Sequence, residues 1–396
     1  NLNSRQENNL LTAIEHSHRV CSITLNLPHQ QLEKVVKMML KPFPMLTHLR
    51  MISFIANRSL RLPSEFLGGP TSSLQELDLS GISLLASPSI LSSASDLVDL
   101  HLGKLPMTDH VSPEVMVTVL AVMTKLKSLT IEIHYHPMHP VNVKAQAILP
   151  ALTQFKFQGS DRYLEDLVAQ LDTPWLFDLT VMILNTCSLS GHSLQKFPQL
   201  FQFIDHAEDL KLSQFRCAYA EIHNFQSSIR FENTQTGHHP TFLTLGEVKY
   251  ASERPQFKGQ LQPIEALLSQ ASAIISSLQH LSITTLHRPI IRDKYWHHAG
   301  LLRLLRSFDT VETLHVGRPF PGRLVPMLNG LSKDLVAEVL PALRLLRFED
   351  KLLKFVKKAL APFIKKRQLV GCPPLTIVKT HKDFERLQCL NETKGG

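Results

Sequence analysis

Histidine supplies the first candidate chemistry. His134, His136 and His139 fall within HYHPMHP, and His238–His239 and His297–His298 are adjacent pairs. Imidazoles bind zinc when three or four ligands converge on one point. The first loop is broken by Pro137 and Pro140 and contributes no cysteine, so no resident metal and no cofactor are expected. The five cysteines, Cys21, Cys187, Cys217, Cys372 and Cys389, are odd in number and far apart, with no CxxC pair. They read as thiols in a reducing compartment. There is no GxSxG, HExxH, GxxxxGK[ST] or GxGxxG, so nothing here names a nucleophile, a catalytic metal or a phosphate cradle. No catalytic residue is expected, and the chain is not read as an enzyme.

Two charged clusters remain. Lys351, Lys354, Lys357, Lys358, Lys365, Lys366 and Arg367 interleave with Leu352, Leu353, Phe355, Val356, Leu360 and Phe363. A basic amphipathic helix of this kind suits an anionic surface or the polar side of a terminal cap. The cap is the expected role, without nucleic acid or membrane as partner. Glu76, Asp78 and Asp99 form the second cluster, for reasons that depend on the elements carrying them.

Those elements come from a repeat. An apolar residue, two others, an apolar, one other and an apolar recur as Leu46, Leu49, Met51; Leu74, Leu77, Leu79; Leu97, Leu100, Leu102; and Leu126, Leu129, Ile131. Leu152, Phe155, Phe157 and Leu176, Leu179, Val181 follow, then Leu278, Leu281, Ile283; Val311, Leu314, Val316; and Leu343, Leu346, Phe348. A first copy is Val20, Ile23, Leu25, and weaker ones start at Ala207 and Pro240. Early copies lie 23 to 29 residues apart and later ones 31 to 38, in or beyond the leucine-rich-repeat range. Positions four and six of the phrase point the same way from a strand, and the leucine at position one enters the same core. Helical spacing fills the intervals, as in Leu32, Val35, Val36, Met39 and in Leu164, Leu167, Val168, Leu171. Neither half of a unit buries its apolar face alone, so neighbours must stack. The expected fold is α/β, an irregular leucine-rich-repeat solenoid with parallel strands on the concave face. Its ninth positions lack the usual Asn or Cys, so packing must hold the turns.

Composition agrees. With 396 residues, 43% hydrophobic and 19% charged, the chain has ample material for a core. No 18-residue apolar run suggests a membrane span. Residues 1–18 are expected to form an N-terminal cap or linker, 19–350 the solenoid and 351–396 a C-terminal cap and basic tail.

The phrase also fixes a binding face. Positions three, five and seven point out of the strands, and the expected partner-binding residues are His48, Arg50, Glu76, Asp78, Asp99, His101, Thr130, Glu132, Gln154, Lys156, His280, Ser282, His315 and Arg347. Glu76, Asp78 and Asp99 fall on neighbouring strands about 5 Å apart. They make either an acidic pocket or part of a mixed polar face.

Several stretches resemble the leucine-rich part of F-box proteins of mushroom-forming fungi: RVCSITLNLPHQQLEKVVKMMLKPFPMLTHLRM, LPSEFLGG, LQELDLSGI, SASDLVDLHLGKLP, FDTVETLHVGRP and LVAEVLPALRLLRF. The resemblance spans most of 19–350 and is weakest across 183–275. It implies substrate recognition for a Skp–cullin–F-box ubiquitin ligase. The F-box that binds the Skp adaptor is not recognisable in this chain. The implied partner is a protein substrate, with Skp reached only through an upstream F-box. A monomer in the cytoplasm or nucleus is expected. The alternative is the recognition arm of another multidomain protein, such as an immune-type receptor.

Overall fold

The computed structural model describes residues 12, 14–53, 60–69, 73–83, 88–105, 111–133, 146–185, 196–210, 215–222, 226–233, 240–249, 268–284, 298–317, 321–348 and 353–379. The HYHPMHP histidines, His238–His239, His297, Leu10 and Leu11, and everything after Lys379 lie outside the described residues. The chain divides into two compact units, 1–179 with 198–209, and 180–197 with 210–396.

In the first unit, β1 (Ser22–Leu27), β2 (His48–Ser53), β4 (Glu76–Ser80), β6 (Asp99–Leu105), β7 (Ser128–Ile133) and β9 (Gln154–Gly159) lie side by side in that order. All of these pairs are parallel. Two-residue strands β3 (Leu60–Arg61) with β5 (Ile82–Ser83), and β8 (Ala147–Ile148) with β10 (Leu171–Asp172), pair separately. Register follows the phrase: Leu49, Leu77, Leu100, Leu129 and Phe155 form one row, and Met51, Leu79, Leu102, Ile131 and Phe157 the next. Every one of them is at most 2% exposed. Return segments place helices behind this core. His29–Met38 buries Leu32, Val35 and Val36. Pro113–Leu120 and Asp161–Val168 each start at a serine, Ser112 or Ser160, whose side chain accepts an early helical N–H. Across helices, the Glu165 carboxylate accepts N–H groups of Gln199 and Leu200 at 3.0 and 2.9 Å, satisfying the open start of Pro198–His206.

β11 (Asp178–Asn185) carries the Leu176, Leu179, Val181 copy of the phrase. In the second unit, β12 (Cys217–Ile222), β15 (His280–Thr284), β16 (Thr313–Val316), β17 (Leu345–Phe348) and β18 (Thr376–Lys379) are successive parallel neighbours. Two weak copies of the phrase are corrected here. The copy at Ala207 is not a strand: Glu208–Leu210 is a 3-10 turn. The strand begins later, and its phrase is Phe215, Ala218, Ala220, each no more than 1% exposed. Alanine hid it, because small side chains give little apolar contrast. The copy at Pro240 falls on β14 (Thr241–Lys249), which pairs antiparallel with β13 (Gln226–Asn233), itself antiparallel to β12. An antiparallel hairpin thus sits in the ladder. Its period-two alternation still buries Ile229, Phe231, Leu243 and Leu245.

The basic segment is also two helices rather than one, Leu353–Ala359 and Ala361–Leu369. Pro362 cannot donate a helical hydrogen bond and crowds the preceding turn, which places the break at Leu360. Nor is its whole cationic face solvated. Arg367 is 1% exposed and donates to the carbonyls of Leu340, Pro341 and Leu343 at 3.0, 3.1 and 2.9 Å. Lys366 Nζ donates to Asn329 and Leu331 carbonyls.

The absent asparagine ladder has a partial replacement. Ser73, Ser277 and Thr310, each one residue before the phrase, donate a hydroxyl to the position-one carbonyl of the neighbouring repeat, Leu46, Phe215 and Leu278. Thr47 and Thr153, at position two, reach the Cys21 and Lys127 carbonyls at 3.1 Å. Beside them, two successive N–H groups share one carbonyl of the preceding strand, as Val98 and Asp99 do with Gln75.

Candidate functional site: the polar strand face

The strand residues between the buried rows make a continuous polar face in each unit. In the first, His48, Glu76, Asp99, Ser128 and Gln154 occupy one row. Arg50, Asp78, His101, Thr130 and Lys156 occupy the next, with Glu132 one step further along β7. The structure brings seven of these expected residues into contact through their charged or imidazole groups. Arg50 Nε lies 3.0 Å from Asp78 Oδ2, and His101 Nδ1 lies 3.3 Å from Asp78 Oδ1. The far side of the imidazole, Nε2, faces Glu132 Oε1 at 3.9 Å, and Lys156 Nζ meets the same oxygen at 3.9 Å. His48 Nε2 stands 3.3 Å from Glu76 Oε1. The chain Arg50–Asp78–His101–Glu132–Lys156 crosses five strands, roughly 19 Å at the usual strand spacing.

The acids are therefore interleaved with cations and imidazoles, and the mixed polar face is the arrangement found. Asp78 and Glu132 side chains are only 19% and 17% exposed, whereas Arg50 and Lys156 are 57% and 49% exposed. Exposed pairs contribute little to stability, so their value lies in fixing side-chain positions. Gly103 makes room for the centre of the chain. A Cβ there would sit 3.1 Å from His101 Nε2 and 3.0 Å from Ser80 Oγ.

In the second unit His280, Ser282, His315 and Arg347 also fall on the polar face, with Ser282, His315 and Arg347 in one row. Ser282 Oγ and His315 Nδ1 are 3.1 Å apart, yet the two residues are 9% and 8% exposed. That pair ties two strands together and is nearly closed to solvent. The sequence reading missed the outward side of the hairpin. There Arg230 stacks 4.0 Å over Phe242 and lies opposite Tyr219. Burial pushes the neighbouring Glu232 carboxyl above the usual range, and Arg230 opposes the shift. The signal lies in QSSIRFEN and TFLTLGEVK, where apolar and polar residues alternate without the longer repeat phrase.

Among the described residues no group of histidine, cysteine and carboxylate could hold a metal ion. Cys21, Cys217 and Cys372 are in no disulfide. No described helix is long and apolar enough to cross a membrane.

The parallel strands, their phrase-driven register and the helical or irregular returns make this an α/β leucine-rich-repeat solenoid. A leucine-rich repeat-containing protein of Legionella pneumophila, LegL7, is similar over 91% of both chains, with 14% identity and a TM-score of 0.33. No protein-family profile and no curated protein matches the chain.

Proposed function

We propose that this chain is a protein-recognition module that binds its partner on the polar strand face. The observation that carries the reading is the charge chain Arg50–Asp78–His101–Glu132–Lys156. Five parallel strands hold it in register on a backbone whose other side is core. Such a surface is preorganised, so little side-chain freedom is lost when a partner docks. Its four carboxylates, Glu76, Asp78, Asp99 and Glu132, outnumber the permanent cations Arg50 and Lys156, which favours a basic partner surface and salt-sensitive association.

The more specific proposal is substrate selection for a Skp–cullin–F-box ubiquitin ligase in the cytoplasm or nucleus. Its support is the resemblance of phrases such as LQELDLSGI and FDTVETLHVGRP to fungal F-box proteins. In this reading 19–350 is the monomeric recognition solenoid, flanked by caps at 1–18 and 351–396. The test has two parts. The chain is assayed for Skp binding alone and after fusion to its genomic upstream segment; binding only by the fusion is expected, and tight binding by residues 1–396 refutes the division of labour. Partners captured by the fusion are then challenged with Asp78→Ser and Glu132→Ser. Unchanged capture by a folded double variant removes the strand face from the proposal.

A further inference from the structure

The charge of this protein is concentrated at one place. The chain has 42 Lys and Arg against 34 Asp and Glu. Residues 351–379 contain eight of the cations and no carboxylate, so all other residues sum to zero net charge. Lys366 and Arg367 are engaged, but with neutral carbonyls, which leave their charge uncancelled. Lys357, Lys358, Lys365 and Lys379 are exposed. No ion pair among the described residues engages Lys357, Lys358 or Lys365. Among the described residues a helix with two carboxylates, Lys333–Glu338, packs against Ala361–Leu369. Its Glu338 is held by Arg306 at 3.0 Å, leaving Asp334 as the other carboxylate on that helix.

We propose that this lysine-rich end is a second docking surface, independent of the strand face, whose occupant is an acidic segment of a partner protein. The side chains select among polyanions. Within the described part of the segment Phe363 and Arg367 are each 1% exposed. Neither this ring nor this guanidinium fork is therefore presented to nucleic acid bases or phosphates. Val356, Leu360 and Phe363 are buried, and among the described side chains of the segment Leu369, 63% exposed, is the large apolar one shown to solvent. A helix that lies in a bilayer needs a wide apolar face, and the described apolar residues of this segment, Val356, Leu360 and Phe363, are already covered by the protein. What is presented is a spread of strongly hydrated point charges. These suit a flexible run of carboxylates, and their attraction is screened by salt.

The test uses the full chain and poly-L-glutamate as probe. Binding is expected at low ionic strength, weakening as salt rises. The Lys357→Glu, Lys358→Glu, Lys365→Glu variant should bind at least about tenfold more weakly. All three positions are exposed, and an unaltered melting curve checks the variant. In the wild-type chain, zero-length carbodiimide crosslinks from the probe should map to Lys357, Lys358 or Lys365, which needs no variant. Crosslinks elsewhere, or affinity unchanged by the triple reversal, overturn the proposal. So does tighter binding to phosphatidylserine-containing vesicles or to a single-stranded oligonucleotide than to poly-L-glutamate.

Discussion

Arg367 shows what one residue contributes beyond its charge. It is a nearly fully buried cation whose partners are carbonyls, among them that of Leu340, which has a left-handed φ of 50°. Burial lowers its pKa from the usual value. Removing the side chain would leave buried carbonyls unpaired, so Arg367→Ala should cost about 3 kcal/mol. Arg367→Lys should recover only part of this, because an ammonium cannot reproduce the planar fork. Denaturant unfolding checks both. Leu100→Ala should cost about 2–5 kcal/mol, as a core truncation at a residue 1% exposed. Glu165 gives a pH signature. Burial raises its carboxyl above the ordinary value of 4.5, outweighing the lowering by its bonds to Leu200 and Gln199. Protons are bound more readily folded than unfolded, so this contribution is complete below the unfolded value and is lost as pH rises through the folded one. The stability of the wild type relative to Glu165→Gln should therefore decline as pH is raised from 4.5. A pH-independent difference would contradict the stated cause.

At the scale of the element, the unit is a strand plus a return, joined to its neighbour by more than apolar contact. Thr310 Oγ1 reaches the carbonyls of Ile275 and Leu278 at 3.1 and 2.8 Å. Thr310→Val keeps the shape and removes the donor, and should cost about 1–2 kcal/mol in thermal or urea unfolding. A neutral result would show that these carbonyls are satisfied without the hydroxyl ladder. The β13–β14 hairpin is the element least like the others. It obeys strand alternation but not the repeat, since an antiparallel pair needs only a short connection where a parallel pair needs a crossover.

For the whole molecule, sheet position within a unit should govern local stability. Among the described residues β1 has one neighbour strand, and only Leu25 of its own residues is buried. β4, β6 and β7 each have strands on both sides. Amides of Ser22–Leu27 should exchange with deuterium well before those of Leu77, Leu100 and Leu129. Equal protection at β1 would mean that something beyond its own strand covers that edge.

In its clear copies the phrase alone marks Leu49, Leu77, Leu100 and Leu129 as core. Its three apolar positions state the strand period and the entry turn, and burial of apolar surface is a local preference written into residue type. It also placed His48, Arg50, Asp78, His101 and Lys156 on one face, because alternation admits no other side. Which of them pair was decided only by tertiary structure. Asp78 meets Arg50, 28 residues upstream, and His101, 23 residues downstream, solely because parallel register brings the three to one row. The same holds for Arg367, which the sequence presents as one more solvated cation. Its burial depends on a Pro362 break that turns the last helix onto the Leu340–Leu343 carbonyls. A charge pattern records how many cations a segment has, while the packing of neighbouring elements decides which of them keep their water.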